Sequence, residues 1–137
     1  MLTVACVRTG DKYGAEYVTR LRDGVARYLK SPHQFICLSD EPIEGVECEP
    51  LVAGWPPSWF CKIELFRLGV PLVYFDLDVV ITGDITPLVE WAGFGILRDY
   101  WLPGFNSSVM KLTGNERHVW DDFKPEMIPK LYMGDQQ

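Results

Sequence analysis

The sequence predicts a layered α/β fold, a largely parallel central sheet flanked by helices. Three observations carry that prediction. Short runs rich in apolar and β-branched residues recur along the chain, segments of helical periodicity separate them, and no internal repeat or linker interrupts the series. The 137 residues fit one domain on a prior of roughly 100–200 residues each. An apolar content of 47% is enough for a core.

The elements follow in order. "LTVACVR", residues 2–8, is an apolar run that stops at Thr9-Gly10 and reads as a buried first strand. In "AEYVTRLRDGVARYL", residues 15–29, Val18, Leu21, Val25 and Tyr28 recur at spacings of three and four, the stripe of an amphipathic helix. "SPH" breaks it. "QFICL" is a second buried strand, closed by the polar turn "SDEP", and "VECEPL" is a short edge strand that Pro50 ends. After the loop "AGWPPS", Ser58 is placed to cap the helix "WFCKIELFRL", which Gly69 and Pro71 stop. "PLVYF" is a third buried strand. "TPLVEW" then gives a helical turn, "FGILRD" and "SVMKL" strands, and "NERHVWDDF" a helix before a Pro-punctuated tail.

Composition excludes some partners. A net charge of −6 and a pI near 4.8 argue against a nucleic-acid surface or an anionic membrane. They leave room for a negatively charged substrate, because a local lysine or metal outweighs a global deficit. Cys6, Cys37, Cys48 and Cys61 lie far apart with no CxxC pair, so buried free thiols are expected rather than a zinc site or a disulfide framework. The opening "MLTVACVRTG" lacks the layout of a signal peptide, and no apolar run approaches the roughly 20 residues of a membrane span. A cytoplasmic location is the expectation.

In open α/β sheets, ligands bind beyond the carboxyl ends of the strands. "TGDKYG", "SDEP" and "DLD" each follow a buried strand and can line one crevice. Asp76 and Asp78, in "VYFDLDVVITGD", stand two apart at the end of an apolar run. On an extended chain both carboxylates aim to one side, where they repel unless a cation joins them or one is protonated. A hard divalent ion, Mg²⁺ or Mn²⁺, with substrate phosphate completing its sphere resolves the repulsion. The plainer reading is that the pair caps a strand and hydrogen-bonds the turn, which the apolar "VYF" and "VVI" on either side disfavour by leaving little water nearby.

"FDLDVVITG" is similar to the first motif of haloacid-dehalogenase-type phosphatases, but Val79 stands where that family carries Gly. The motif also comes late, and although Lys111 and Asp121-Asp122 could serve as the later lysine and acidic pair, little room is left for the remaining strands and a cap. A different resemblance covers nearly the whole chain. "CVRTGDKYG", "WFCKIELFRL", "VYFDLDVVITGDITPL", "FNSSVMKL" and "GDQQ", in that order, resemble the GT-A nucleotide-sugar glycosyltransferases, nearest to the glycogenin-like and lipopolysaccharide-galactosyltransferase-like group.

That resemblance implies a Rossmann-like GT-A fold and a metal-dependent hexosyltransferase using a UDP-sugar, with retention of configuration. Its partners would be the nucleotide-sugar donor and a glycan, lipid or protein acceptor. Asp76 and Asp78 match the DxD that holds Mn²⁺ or Mg²⁺ against the diphosphate, with Asp76 also near the ribose. Asp11 and Tyr13 fall where the first loop reaches the base, although Tyr13 also reads as a loop aromatic. Lys62 matches a basic residue near the donor phosphates, although it also reads as a solvated helix lysine. Asn106, Ser107 and Ser108 would approach the donor sugar, with Ser108 narrowing the pocket where the family has Gly. Asp135 and Gln136 match the "DQ" element near the anomeric centre.

Trp55 and Trp59 read as packing residues more readily than as a sugar wall, and His118 as a surface or packing histidine. The family continues past "DQ" into a segment with a histidine metal ligand and a phosphate-contacting lysine. The expectation is therefore a single GT-A-like domain, residues 1–137, without that segment and with its metal site open on one side. A non-catalytic module that binds nucleotide or a partner protein is the alternative.

Overall fold

The computed structural model describes residues 2–126. Its strands are β1 (Leu2–Arg8), β2 (His33–Ser39), β3 (Glu47–Pro50), β4 (Leu72–Phe75), β5 (Gly95–Arg98) and β6 (Phe105–Leu112). They form one sheet in the order β3-β2-β1-β4-β6-β5. β1 to β4 are mutually parallel, and β6 runs antiparallel to both β4 and β5. Only β6 is reversed, so the sheet is the expected mostly parallel one. The carboxyl ends of β1, β2, β4 and β5 open at a single rim.

Helix α1 (Ala15–Tyr28) follows β1, α2 (Thr86–Val89) precedes β5, and α3 (Arg117–Asp122) follows β6. Strand alternation splits the core into two layers. Val4 and Cys6 of β1 and Val73 and Phe75 of β4 pack with Val18, Leu21 and Val25 of α1. Ala5, Leu72 and Tyr74 point to the other face, against Phe60, Ile63 and Leu65. The expected stripe on α1 holds at Val18, Leu21 and Val25, but Leu29 is buried in place of Tyr28, which is half-buried. Leu29 is the C-cap, its amide bonded to the Val25 carbonyl, so the stripe closes at the i+4 position from Val25 and not at i+3.

The helix expected over "WFCKIELFRL" is a 3₁₀ helix, Trp59–Leu68. Residues 60–66 are all buried. The segment packs on several sides, against the sheet and α3, and not along one apolar stripe. Ser58 occupies the N-cap position without a side-chain cap, while its carbonyl accepts from the Cys61 amide. Gly69 ends the segment in the left-handed conformation expected of it, at φ 64°. All four cysteines are free thiols, and Cys6, Cys37 and Cys61 are buried. No helix among the described residues is long and apolar enough to cross a membrane.

Candidate active-site crevice

A cavity of about 480 Å³ lies at the carboxyl rim of β1 and β4. The loop after β1 supplies Asp11, Lys12 and Tyr13, the start of the 3₁₀ helix supplies Trp59 and Lys62, and the end of β4 supplies Tyr74, Asp76 and Asp78. Five residues singled out in the sequence therefore share one cavity: Asp11, Tyr13, Lys62, Asp76 and Asp78.

Strand alternation builds its floor. Tyr74 and Asp76 are two apart and lean to the face covered by the 3₁₀ helix, so Lys62 meets both. Lys62 Nζ donates to Asp76 Oδ1 at 3.0 Å and to Ser107 Oγ at 3.2 Å. It also lies 5.5 Å from the centroid of the Tyr74 ring, whose hydroxyl donates to the same Asp76 oxygen. The Lys62 side chain is 11% exposed, against 28% for Asp76. Lys62 is thus an enclosed, paired cation and not a solvated helix lysine.

Beyond Phe75 the ladder continues by one bond, from the Asp76 amide to the Ser108 carbonyl at 2.8 Å. The chain then turns, with the Val79 amide bonded to the Asp76 carbonyl at 3.1 Å. The two aspartates are consequently not brought together by strand alternation, as their spacing implied, but by this turn. Water is also near: Asp78 is exposed and Val80 is 78% exposed, while Val79 and Ile81 on either side of Val80 pack against the core.

Ser107 reaches the crevice floor through Lys62. Asn106 and Ser108 do not line the cavity; Asn106 Oδ1 accepts from the Ser108 amide at 2.9 Å, a bond internal to β6. Asp135 and Gln136 lie outside the described residues. Trp59 lines the cavity, whereas Trp55 packs with Phe60, Trp120 and Phe123 at centroid distances of 5.3–5.6 Å. His118 is exposed. "SDEP" does not line the crevice but braces it, since Asp40 Oδ2 accepts from the Gly10 amide at 2.8 Å and Glu41 pairs with Arg8 at 3.1 Å.

Lys12, Tyr74 and Arg8 were not singled out in the sequence. The signal for Tyr74 was its i−2 spacing from Asp76. Another feature shares the rim. The loop after β5 holds Tyr100 and Trp101 edge-to-face at 5.0 Å, 87% and 86% exposed. Asp99 Oδ1 fixes that loop by accepting from the amides of Trp101 and Leu102.

Three carboxylates (Asp11, Asp76, Asp78) face two ammoniums (Lys12, Lys62) around the cavity, a net charge of −1. Alone, that balance repels a diphosphate; one divalent cation reverses its sign. Among the described residues no three His, Cys, Asp or Glu side chains converge into a closed metal site. The donor set instead fits a hard cation such as Mg²⁺ or Mn²⁺, bound through one or two carboxylates with substrate phosphate completing the sphere. Asp78, exposed and unclamped by Lys62, is the accessible carboxylate.

The phosphatase resemblance finds no such support. Lys111 Nζ is buried against the Val89 carbonyl at 2.7 Å, and Asp121 pairs with Arg117 on α3, so neither stands at Asp76.

No protein-family model matches the sequence, and no curated protein matches it. Solved structures do match. The galactosyltransferase LgtC, in complex with donor and acceptor sugar analogues, superposes with a TM-score of 0.71 at 16% identity, over 98% of this chain and 68% of that one. The glycosyltransferase GlyE of Streptococcus pneumoniae TIGR4 gives 0.72 at 16% identity, over 99% of this chain and 42% of that one. An active-site mutant of LgtC gives 0.66 at 14% identity. This chain thus spans about two thirds of LgtC and under half of GlyE. At such identity the likeness is one of fold, and the chain has the layered α/β fold of these glycosyltransferases.

Proposed function

We propose that the chain binds a nucleoside-diphosphate sugar, a UDP-hexose, in the crevice together with Mn²⁺ or Mg²⁺. The hexose would pass to a glycan, lipid or protein acceptor. The observation that carries this reading is the convergence of Asp11, Tyr13, Lys62, Asp76 and Asp78 on one cavity at the carboxyl rim.

Asp11 and Tyr13 receive the base, Tyr13 by stacking. Lys62 approaches the phosphates while holding Asp76. Asp76 and Asp78 hold the cation, which as a Lewis acid would neutralise charge developing on the departing diphosphate. The chain's own contribution is positioning and fixed electrostatics: Lys62 and Tyr74 lock one oxygen of Asp76, so it need not reorganise during transfer. Asp135 and Gln136 are proposed to act near the anomeric carbon. Tyr100 and Trp101, at the same rim, offer apolar ring faces to an acceptor sugar.

The test is release of UDP from UDP-glucose and UDP-galactose with and without Mn²⁺. Metal-dependent release supports a transferase. Binding of UDP without any turnover, with or without an added acceptor sugar, would favour the non-catalytic nucleotide-binding module.

A further inference from the structure

We infer that Arg8 is a positioning residue for the loop that receives the base, acting through the loop and not through contact with nucleotide. The inference rests on the functional reading above. Arg8 closes β1, is not a cavity-lining residue, and has a side chain only 11% exposed. Its Nε donates to the Tyr13 carbonyl at 3.0 Å, and its Nη1 donates to Glu41 Oε1 at 3.1 Å.

Glu41 is itself held, because Ser39 Oγ donates to its carbonyl at 2.6 Å. The other end of the loop is tied separately, through the Gly10 amide to Asp40 Oδ2 and the Asp40 amide to the Arg8 carbonyl. The loop is thus fastened at Gly10 to Asp40, just past β2, and at Tyr13 to Arg8 at the end of β1, with Asp11 and Lys12 exposed between the two fastenings. Tyr13 packs on Tyr17 of α1 at 4.9 Å, which sets its ring only if its backbone is fixed.

An arginine suits this place because its planar fork donates to a carbonyl and a carboxylate at once. A lysine is a single point charge and keeps the charge but not the fork. Arg8 therefore acts on the base-binding half of the crevice and leaves the half around Asp76 and Asp78 alone.

The experiment measures dissociation constants by calorimetry for UDP and for inorganic pyrophosphate, each with Mn²⁺, on wild type, Arg8→Ala and Arg8→Lys. Loss of a charge-assisted hydrogen bond predicts a UDP constant about tenfold higher in Arg8→Ala. It rises several-fold in Arg8→Lys, and pyrophosphate changes less than twofold in both. Equal losses for the two ligands, or no loss for UDP, would overturn the inference. If Arg8→Ala does not fold, Arg8→Lys decides alone, because it conserves the charge and any selective loss is one of geometry. Failure of wild type to bind either ligand would overturn the functional reading itself, a different result.

Discussion

The Lys62 ammonium sits 3.0 Å from Asp76 Oδ1, and the Tyr74 hydroxyl donates to the same oxygen. One carboxylate oxygen of the crevice is thereby neutralised and fixed before any ligand arrives. Replacing Lys62 by Met leaves Asp76 without its cation in a partly enclosed site. Because Asp76 is 28% exposed, the cost falls below that of a fully buried pair, at about 2 kcal/mol of stability. Denaturant unfolding measures it, and nucleotide affinity should fall at least tenfold in parallel.

Gly10 faces two constraints. Its φ is +68°, and an added Cβ would stand 2.8 Å from Pro57 Cβ, the opposite wall of the crevice. Gly10→Ala should therefore displace the loop and cost about 1–3 kcal/mol. Nucleotide binding should weaken more than the stability loss alone requires, and a stability curve beside a binding curve separates the two.

Glu64 is fully buried yet occupied on both oxygens. It accepts from the amides of Val52 and Ala53 at 2.8 and 3.1 Å, and pairs with Arg67 at 3.1 Å. Glu64→Ala leaves two amides without their acceptor and strips Arg67 of its carboxylate, although Arg67 Nη2 keeps its bond to the Pro50 carbonyl at 2.8 Å; the predicted loss is about 3 kcal/mol. Residues 51–58, which lead into the Pro57–Trp59 wall, should become protease-sensitive; limited proteolysis read by mass spectrometry checks this.

Thiol chemistry sets the alkaline limit. Burial pushes the Cys48 and Cys61 thiols above the ordinary thiol value. A group raised in the folded state contributes its full stability below the unfolded pKa and loses it as pH rises beyond. Stability should therefore hold through neutral pH and fall as pH climbs past about 8.5. Thermal unfolding across pH 7 to 11 reads the decline. Cys61→Ala should make it shallower.

The strands and their buried character were legible because the cues are local. "LTVACVR" and "LVYF" are continuous apolar runs, as expected of strands covered on both faces. The place of β6 between β4 and β5 was not legible, since strand order depends on contacts far apart in sequence. The winding of residues 59–68 was hidden for a related reason, because burial on several sides erases the periodic stripe. At the site, Asp76 and Asp78 stood out as charges in an apolar context, but the turn that orients them involves only backbone. Nothing local marks Arg8, because its role depends on Glu41, 33 positions away.

On the proposed function, Asp76 and Asp78 carry a cation-dependent nucleotide site. Calorimetric titration of UDP into wild type and Asp78→Ala, each with and without Mn²⁺, tests it most directly. Saturable binding of UDP by wild type only when Mn²⁺ is present, lost or weakened at least tenfold in Asp78→Ala, is the predicted result. No binding by wild type, or binding that Asp78→Ala leaves unchanged, would contradict it.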